Sequence, residues 1–208
     1  MVISMIVRNG ILTPYLMSVD DYLSEIQKIF VALDKEVLEL NVSFLYNAWK
    51  QRRQVFIIGN GGSASTASHM ANDLSKATII PGLHRMRVIA LTDNISIITA
   101  WANDTSFDNI FREQLENLLE PEDVVLGISA SGNSPNILRA LDYARRNAAI
   151  TIGWTGNNGG AMKGMVDLAW RIPTDNVGLI ESCHLFFDHL VTTELCKRLR
   201  AEFEARKA

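Results

Sequence analysis

The chain of 208 residues has few cysteines, no run of basic residues and no long apolar segment. Its two cysteines, Cys183 and Cys196, are 13 positions apart in one predicted helix. At the usual helical rise this is about 20 Å, which is too far for a disulfide. The net charge of −3 gives no electrostatic reason to expect nucleic acid or an acidic membrane as a partner. No apolar run approaches the roughly 20 residues that span a bilayer, and no signal-peptide pattern is present, so we expect a soluble, cytoplasmic protein.

The common nucleotide-binding motifs are also absent from the sequence. There is no GxxxxGK[ST], and the glycines at 59–62 lack the spacing of GxGxxG. Two Gly/Ser loops are present instead, each directly after an apolar run: GNGGS at 59–63 and SASGNS at 129–134. Such a loop before a helix directs N–H groups, hydroxyls and the positive helix terminus at one point, as a phosphate requires. Either loop alone could be an ordinary turn, but two in one chain favour a small phosphorylated metabolite as the ligand.

The spacing of apolar residues predicts an α/β fold. Two helical stretches, the first beginning at the capping residue Ser18, precede a regular alternation of strands and helices. Strands are predicted at 55–58, 87–91, 124–128, 150–154 and 168–172, and helices at 63–76, 95–103, 107–119, 135–147, 160–165 and 177–205. Strands that are apolar throughout and separated by helices predict a doubly wound parallel sheet in a three-layer α-β-α arrangement. Ligands of such sheets bind beyond the carboxyl ends of the strands, where both loops fall.

Two pairs of residues could hold a divalent metal. His69 and Asp73 are at positions i and i+4 of the helix that follows the first loop, so they project from one face. Glu181 and His189 lie eight residues apart on the last helix, about 80° apart in helical phase. Two nitrogens and two carboxylates suit Zn²⁺ and tolerate Mn²⁺ or Fe²⁺. An i, i+4 His/Asp pair is more often a surface hydrogen bond, but its position behind a phosphate loop favours a metal.

Several short motifs extend this pattern over most of the chain. They are GNGGS at 59–63 with His69 after it, LTDN at 91–94, AND at 102–104, FREQL at 111–115, GISASGNSPNIL at 127–138 and TGNNGG at 155–160. Together they resemble the phosphoheptose isomerase family of sugar isomerase (SIS) domains, from about residue 20 to about residue 200. The resemblance implies one domain, with residues 1–53 as an N-terminal helical extension and residues 54–200 as the sugar-phosphate-binding part. It also implies a homotetramer with active sites at subunit interfaces.

The resemblance assigns roles to individual residues. The sugar phosphate would bind the hydroxyls of the second loop together with Ser63, and we expect the substrate site to contain Asn60, Gly61, Gly62, Ser63, Asp93, Ser129, Ala130, Ser131, Ser134 and Glu181. Asp93 could instead cap the helix that follows it. Where the family has HxxxE, with the glutamate as metal ligand and base, this chain has Asp73. Glu181 stands at a family glutamine, and Thr66 replaces a family aspartate.

The predicted activity is an aldose–ketose isomerisation of a phosphorylated sugar, from sedoheptulose 7-phosphate to a heptose 7-phosphate. This reaction moves a proton between C1 and C2 through an enediol, and we expect Asp73 and His189 to transfer it. The expected cofactor is a divalent metal, zinc, held by His69, Asp73, Glu181 and His189, with no nucleotide. Two alternatives remain: a non-catalytic regulator that binds a partner protein, of the replication-initiation type, and a sugar-phosphate sensor. Two histidines and two carboxylates beside a phosphate loop favour the enzyme.

Overall fold

A parallel sheet lies at the centre of the computed structural model, which describes residues 17–207. Its strands are β1 (Gln54–Gly59), β2 (Arg87–Ala90), β3 (Val124–Ser129), β4 (Ile150–Gly156) and β5 (Leu168–Ile172). Every pair is parallel, and the strand order is β2-β1-β3-β4-β5. The strands β1 and β3 are buried along their whole length, as expected when helices cover both faces. The predicted doubly wound parallel sheet is confirmed.

Seven α-helices connect and cover these strands within the described residues. They are α1 (Val19–Val31), α2 (Lys35–Lys50), α3 (Gly62–Lys76), α4 (Ile95–Asp104), α5 (Arg112–Leu118), α6 (Pro135–Arg146) and α7 (Val177–Lys207). The sheet divides the buried apolar residues into two clusters. Helices α1, α2, α3 and α7 contribute to one cluster, and α4, α5 and α6 contribute to the other. The predicted three-layer arrangement is therefore confirmed, and most predicted element bounds agree with the structure to within a few residues.

Two predicted helices differ from the structure. The stretch predicted as one helix over 107–119 is a 3₁₀ turn, Phe107–Asn109, followed by α5. The segment between them, Ile110 and Phe111, is buried, and its packing sets the bend. The segment 160–165 contains only a 3₁₀ turn, Met162–Gly164, because Gly160 has a φ of +57° and so cannot begin a right-handed helix.

The two N-terminal helices are joined to the rest of the fold by long-range hydrogen bonds. The Ser18 hydroxyl accepts the N–H of Asp21 at 3.1 Å, which confirms Ser18 as the N-cap of α1. The Tyr22 hydroxyl of α1 donates to the Gly178 carbonyl of α7 at 3.1 Å. Of the predicted N-terminal extension 1–53, residues 1–16 lie outside the described residues. No helix in the described part of the chain has the length and apolar character of a membrane span.

Helices α3 and α7 lie side by side and run in the same direction. The Nε2 atoms of His69 and His189 are 3.0 Å apart, and further along both helices Cys196 Sγ donates to the Ala77 carbonyl at 3.3 Å. Because residue numbers increase together along both helices, the pair is parallel. Side chains from the helix that follows the first loop therefore meet side chains from the last helix at matching heights.

Candidate functional site

The two Gly/Ser loops lie next to each other at the carboxyl edge of the sheet. Strands β1 and β3 are neighbours, with Gly59 paired to Ile128, although β2 separates them in sequence. From β1 the chain crosses to one side of the sheet, and from β3 it crosses to the other. In open α/β sheets this point of reversal leaves a crevice in which ligands bind. The position of the loops is therefore that of a binding site.

Three serine hydroxyls converge in the second loop. Ser129 ends β3, and its Oγ lies 3.1 Å from Ser134 Oγ and 3.5 Å from Ser131 Oγ. Ser134 is the N-cap residue of α6, yet its side chain makes no capping hydrogen bond. Its hydroxyl is directed to that of Ser129 instead. This grouping of donors at a helix N-terminus can bind the oxygens of one phosphate.

The turn after β4 supports the second loop from behind. Gly132 has a φ of +64°, and a Cβ at this position would lie 2.1 Å from the Gly159 carbonyl oxygen. The N–H of Met162 donates to the Gly132 carbonyl at 3.0 Å, and the N–H of Ala161 donates to Asn133 Oδ1 at 2.9 Å. These contacts explain why the loop requires glycine at 132. They also hold the serines in place before any ligand binds.

A reciprocal pair of amide hydrogen bonds joins the two loops. Asn60 Nδ2 donates to Asn136 Oδ1 at 2.9 Å, and Asn136 Nδ2 donates to Asn60 Oδ1 at 2.8 Å. Asn136 is buried in the first turn of α6. The side chain of Asn60, predicted to bind the sugar, thus also fixes the spacing of the loops. Sequence reasoning missed Asn136, although its place after Ser134 and Pro135 at a helix start was a signal.

An acidic side chain from α7 lies against the first loop. Gly61, with a φ of +55°, is the N-cap of α3, and Ser63 is buried in its first turn. A Cβ on Gly62 would lie 2.4 Å from Glu181 Oε1, so the Glu181 carboxylate rests against the start of α3. A negative charge is favourable beside the positive end of a helix. Glu181 therefore belongs to the loop end of the site, where it was also predicted to contact substrate.

Four side chains form a cluster about two to three turns of α3 beyond the first loop. His69 and Asp73 of α3 meet Asp188 and His189 of α7, with one ligand atom of each within 4.8 Å of the others. Asp73 Oδ2 is 3.5 Å from His69 Nε2 and 3.8 Å from His189 Nε2. Ligands of a tetrahedral cation with bonds of 2.0–2.2 Å are about 3.3–3.6 Å apart. The donor atoms and their spacing therefore fit a divalent cation.

The cluster contains three of the four predicted metal ligands. Glu181 is not among them, because eight residues of α7 between it and His189 correspond to about 12 Å of helical rise. The additional member, Asp188, is fully buried. Burial, followed by the charge of Asp73, raises the pKa of Asp188 to about 7, and the Thr192 hydroxyl opposes this shift. Sequence reasoning missed Asp188 because a residue adjacent to His189 points about 100° away on an ideal helix.

Asp93 follows the end of β2 and lies beside α3. Its Oδ1 accepts hydrogen bonds from the hydroxyls of Ser68 and Thr92. The residue that caps α4 is Asn94, whose side chain accepts the N–H of Ile97 at 3.2 Å, so the capping alternative for Asp93 is wrong. Asp93 lines a cleft of about 650 Å³ between α3, β2 and α5. The carboxylate is thus accessible to a polar ligand.

His184 of α7 serves packing beneath the site. It is fully buried, its ring centroid lies 5.8 Å from that of Trp170, and its Nε2 is 3.3 Å from the Thr155 carbonyl oxygen. Burial lowers the pKa of His184 to about 4, and the hydrogen bond to Thr155 opposes the shift. The imidazole is therefore neutral at physiological pH.

Comparison with known proteins agrees with this architecture. Residues 15–156 match the family model of the SIS domain, so the chain is an SIS domain protein. It is 39% identical over 173 residues to the phosphoheptose isomerase of Trichlorobacter lovleyi, covering 82% of this chain and 86% of that protein. The structure of a phosphoheptose isomerase from Francisella tularensis superposes with a TM-score of 0.79 at 27% identity, over 86% of this chain and 94% of that one. The chain belongs to the phosphoheptose isomerase family.

Another relative is named for a different pathway. The lincomycin biosynthesis protein LmbN of Streptomyces lincolnensis is 36% identical over 181 residues, which is 82% of this chain and 66% of that protein. Similarity of this degree is thus shared by proteins named for different pathways. The particular sugar must be inferred from the site.

Proposed function

We propose that this chain is an aldose–ketose isomerase of a phosphorylated sugar, with sedoheptulose 7-phosphate as its substrate and a heptose 7-phosphate as product. The observation that carries the proposal is the arrangement of two different sites on one helix. Helix α3 follows the first loop, which is hydrogen-bonded to the start of α6 after the serine loop, and α3 carries His69 and Asp73 about two and three turns further on. An isomerase needs both a grip on the phosphate and a base near the carbonyl.

The phosphate end of the substrate is assigned to the second loop. The hydroxyls of Ser129, Ser131 and Ser134 supply donors beside the start of α6, and Ser63 adds a hydroxyl from the first loop. Anion binding by these local dipoles is consistent with a chain whose net charge is −3. The remaining polar groups, Asp93 and Glu181, would accept hydrogen bonds from sugar hydroxyls.

The proton-transfer end is assigned to the cluster on α3 and α7. We assign the base to Asp73, which removes a proton from the carbon beside the carbonyl and returns it to the neighbouring carbon. His189 would move the proton between the two oxygens. The His189 ring is held beside the Asp73 carboxylate at 3.8 Å, within range for orientation by that charge.

The residues also fit a divalent cation, which we propose to be zinc. His69, Asp73 and His189 would hold it, because two imidazoles and a carboxylate are donors that zinc prefers and their spacing suits tetrahedral coordination. A cation there would stabilise negative charge that develops on the carbonyl oxygen. The same residues would accept Mn²⁺ or Fe²⁺.

We further propose that the chain forms a homotetramer in which a neighbouring subunit covers the site. Exposed apolar side chains lie along the α1–α7 pair, including Leu23, Leu185 and Phe186. Leu185 is one helical turn before His189, which is itself exposed. An interface over this surface would bury apolar area and exclude water from the cluster at the same time.

The test is turnover of sedoheptulose 7-phosphate in D₂O, with the protein loaded with Zn²⁺ and again after chelation. An isomerase that works through an enediol should form a heptose 7-phosphate and incorporate solvent deuterium at the carbon that receives the proton. If no heptose, hexose or pentose phosphate is turned over while a sugar phosphate still binds, the protein is a sugar-phosphate sensor rather than an enzyme. Failure of both turnover and binding would favour a partner-binding regulator.

A further inference from the structure

The carboxylate of Asp188 is the least explained group at the cluster. Asp188 is fully buried, and its Oδ2 has no hydrogen-bond partner among the described residues. The other oxygen accepts only a long hydrogen bond of 3.4 Å from the Thr192 hydroxyl. Buried polar atoms are almost always paired, and leaving one unpaired costs about 1–3 kcal/mol. The Asp188 carboxylate thus has one unpartnered oxygen, and one of its oxygens lies within 4.8 Å of ligand atoms from two histidines and a second carboxylate, which indicates a positively charged partner.

The electrostatics of the cluster indicate the same kind of partner. Asp73 and Asp188 place two carboxylates near one another, and only Asp73 is partly exposed to water. Within the described residues, the salt-bridge partners of Asp73 are the two histidines, and no lysine or arginine forms a salt bridge with Asp73 or Asp188. Two carboxylates and two imidazoles form the donor set of a divalent cation site.

We propose that Asp188 is a ligand of the cation in this chain, so that the site is formed by His69, Asp73, Asp188 and His189. Glu181, at the position where the family has a glutamine, does not coordinate. Its carboxylate lies against Gly62 at the start of α3, about 12 Å of helical rise before His189. This assignment rests on the cation in the proposed function, but it concerns only which side chains bind it.

The assignment is tested by binding Co²⁺ to the intact protein, with affinity from competition against a chelating dye and geometry from the visible absorption spectrum. Asp188→Asn, which keeps size and removes charge, should weaken Co²⁺ binding by at least about 10-fold and change the spectrum. The matched control Glu181→Gln should leave affinity and spectrum within about twofold of the unmodified protein. Equal affinity of the unmodified protein and Asp188→Asn, or a loss confined to Glu181→Gln, would overturn the proposal.

A second variant covers the case in which Asp188→Asn does not fold. Asp188→Cys replaces the carboxylate by a thiol, which binds Co²⁺ as thiolate and adds a charge-transfer band in the near-ultraviolet. The unmodified protein, which already contains Cys183 and Cys196, is the control and should lack this band. A folded Asp188→Cys protein that binds Co²⁺ without the band would exclude residue 188 from the coordination sphere.

These readouts separate two kinds of failure. If the unmodified protein binds no Co²⁺, the cation and the role of Asp188 are both wrong. If it binds Co²⁺ as expected but turns over no sugar phosphate, the proposed isomerase activity fails while the assignment of Asp188 stands on the spectra.

Discussion

Replacing Ser134 by alanine separates a phosphate-binding role from an ordinary capping role. An N-cap serine normally bonds the backbone at the helix start, and its loss costs about 0.5–2 kcal/mol of stability. The Ser134 side chain makes no such bond, and its Oγ lies 3.1 Å from Ser129 Oγ. Ser134→Ala should therefore change stability by less than about 0.5 kcal/mol. It should instead remove one hydrogen bond to the phosphate dianion, worth about 1.5–3 kcal/mol, or roughly 10- to 150-fold in affinity.

The matched control is Ser18→Ala, the same substitution at an N-cap that does form its bond, to the N–H of Asp21. It should lower the melting temperature by about 2–4 °C and leave phosphate binding unchanged. The assays are thermal unfolding, the inhibition constant of inorganic phosphate, and KM for the sugar phosphate. The reasoning would be refuted if Ser134→Ala lost stability as Ser18→Ala does while its phosphate inhibition constant remained that of the unmodified protein.

Two further predictions concern α3 and α7. Asp73→Asn should lower kcat by about 10²–10⁴ in the deuterium-exchange assay, with KM changed only several-fold. Asp73→Glu keeps a carboxylate and should hold kcat within about tenfold of the unmodified protein. Equal losses of kcat in the two variants would contradict a carboxylate base. His184 takes up a proton near pH 6.5 when unfolded but only near pH 4 when folded, so it lowers stability as pH falls between these values. Relative to His184→Gln, the unmodified protein should lose about 1.4 kcal/mol per pH unit in urea unfolding with chelator present. The raised pKa of Asp188 increases stability as pH falls, but this effect is common to both proteins and cancels in the difference between their unfolding free energies. If that difference did not change with pH, a buried neutral His184 would be excluded.

The fold was largely predictable because strands covered on both faces are apolar throughout. The runs before both Gly/Ser loops show this pattern, and the helix starts at Ser18 and Pro135 carry local signals. The bend before α5 was not predictable, because buried Ile110 and Phe111 continue an apolar helical pattern and only tertiary packing separates the turn from the helix.

Within the site, the sequence predicts which residues lie together on one helix, but it does not predict which residues of two different helices come into contact. The i, i+4 relation placed His69 beside Asp73 without knowledge of the fold. Which residues of α7 face them depends on how that helix is rotated and shifted against α3. Its register brings Asp188 to the cluster and leaves Glu181 at Gly62, and no local sequence pattern specifies that register.

The parallel contact of α3 with α7 joins two points of the chain that are 120 residues apart in sequence, at His69 and His189. A cation bound between them would act as a reversible cross-link that closes most of the α/β fold into a single loop. Such a link restricts the unfolded chain more as the loop becomes longer, and its contribution grows with the concentration of free cation. Metal supply would then set the stability of the folded protein as well as its chemistry, and chelation would weaken the contact between α3 and α7.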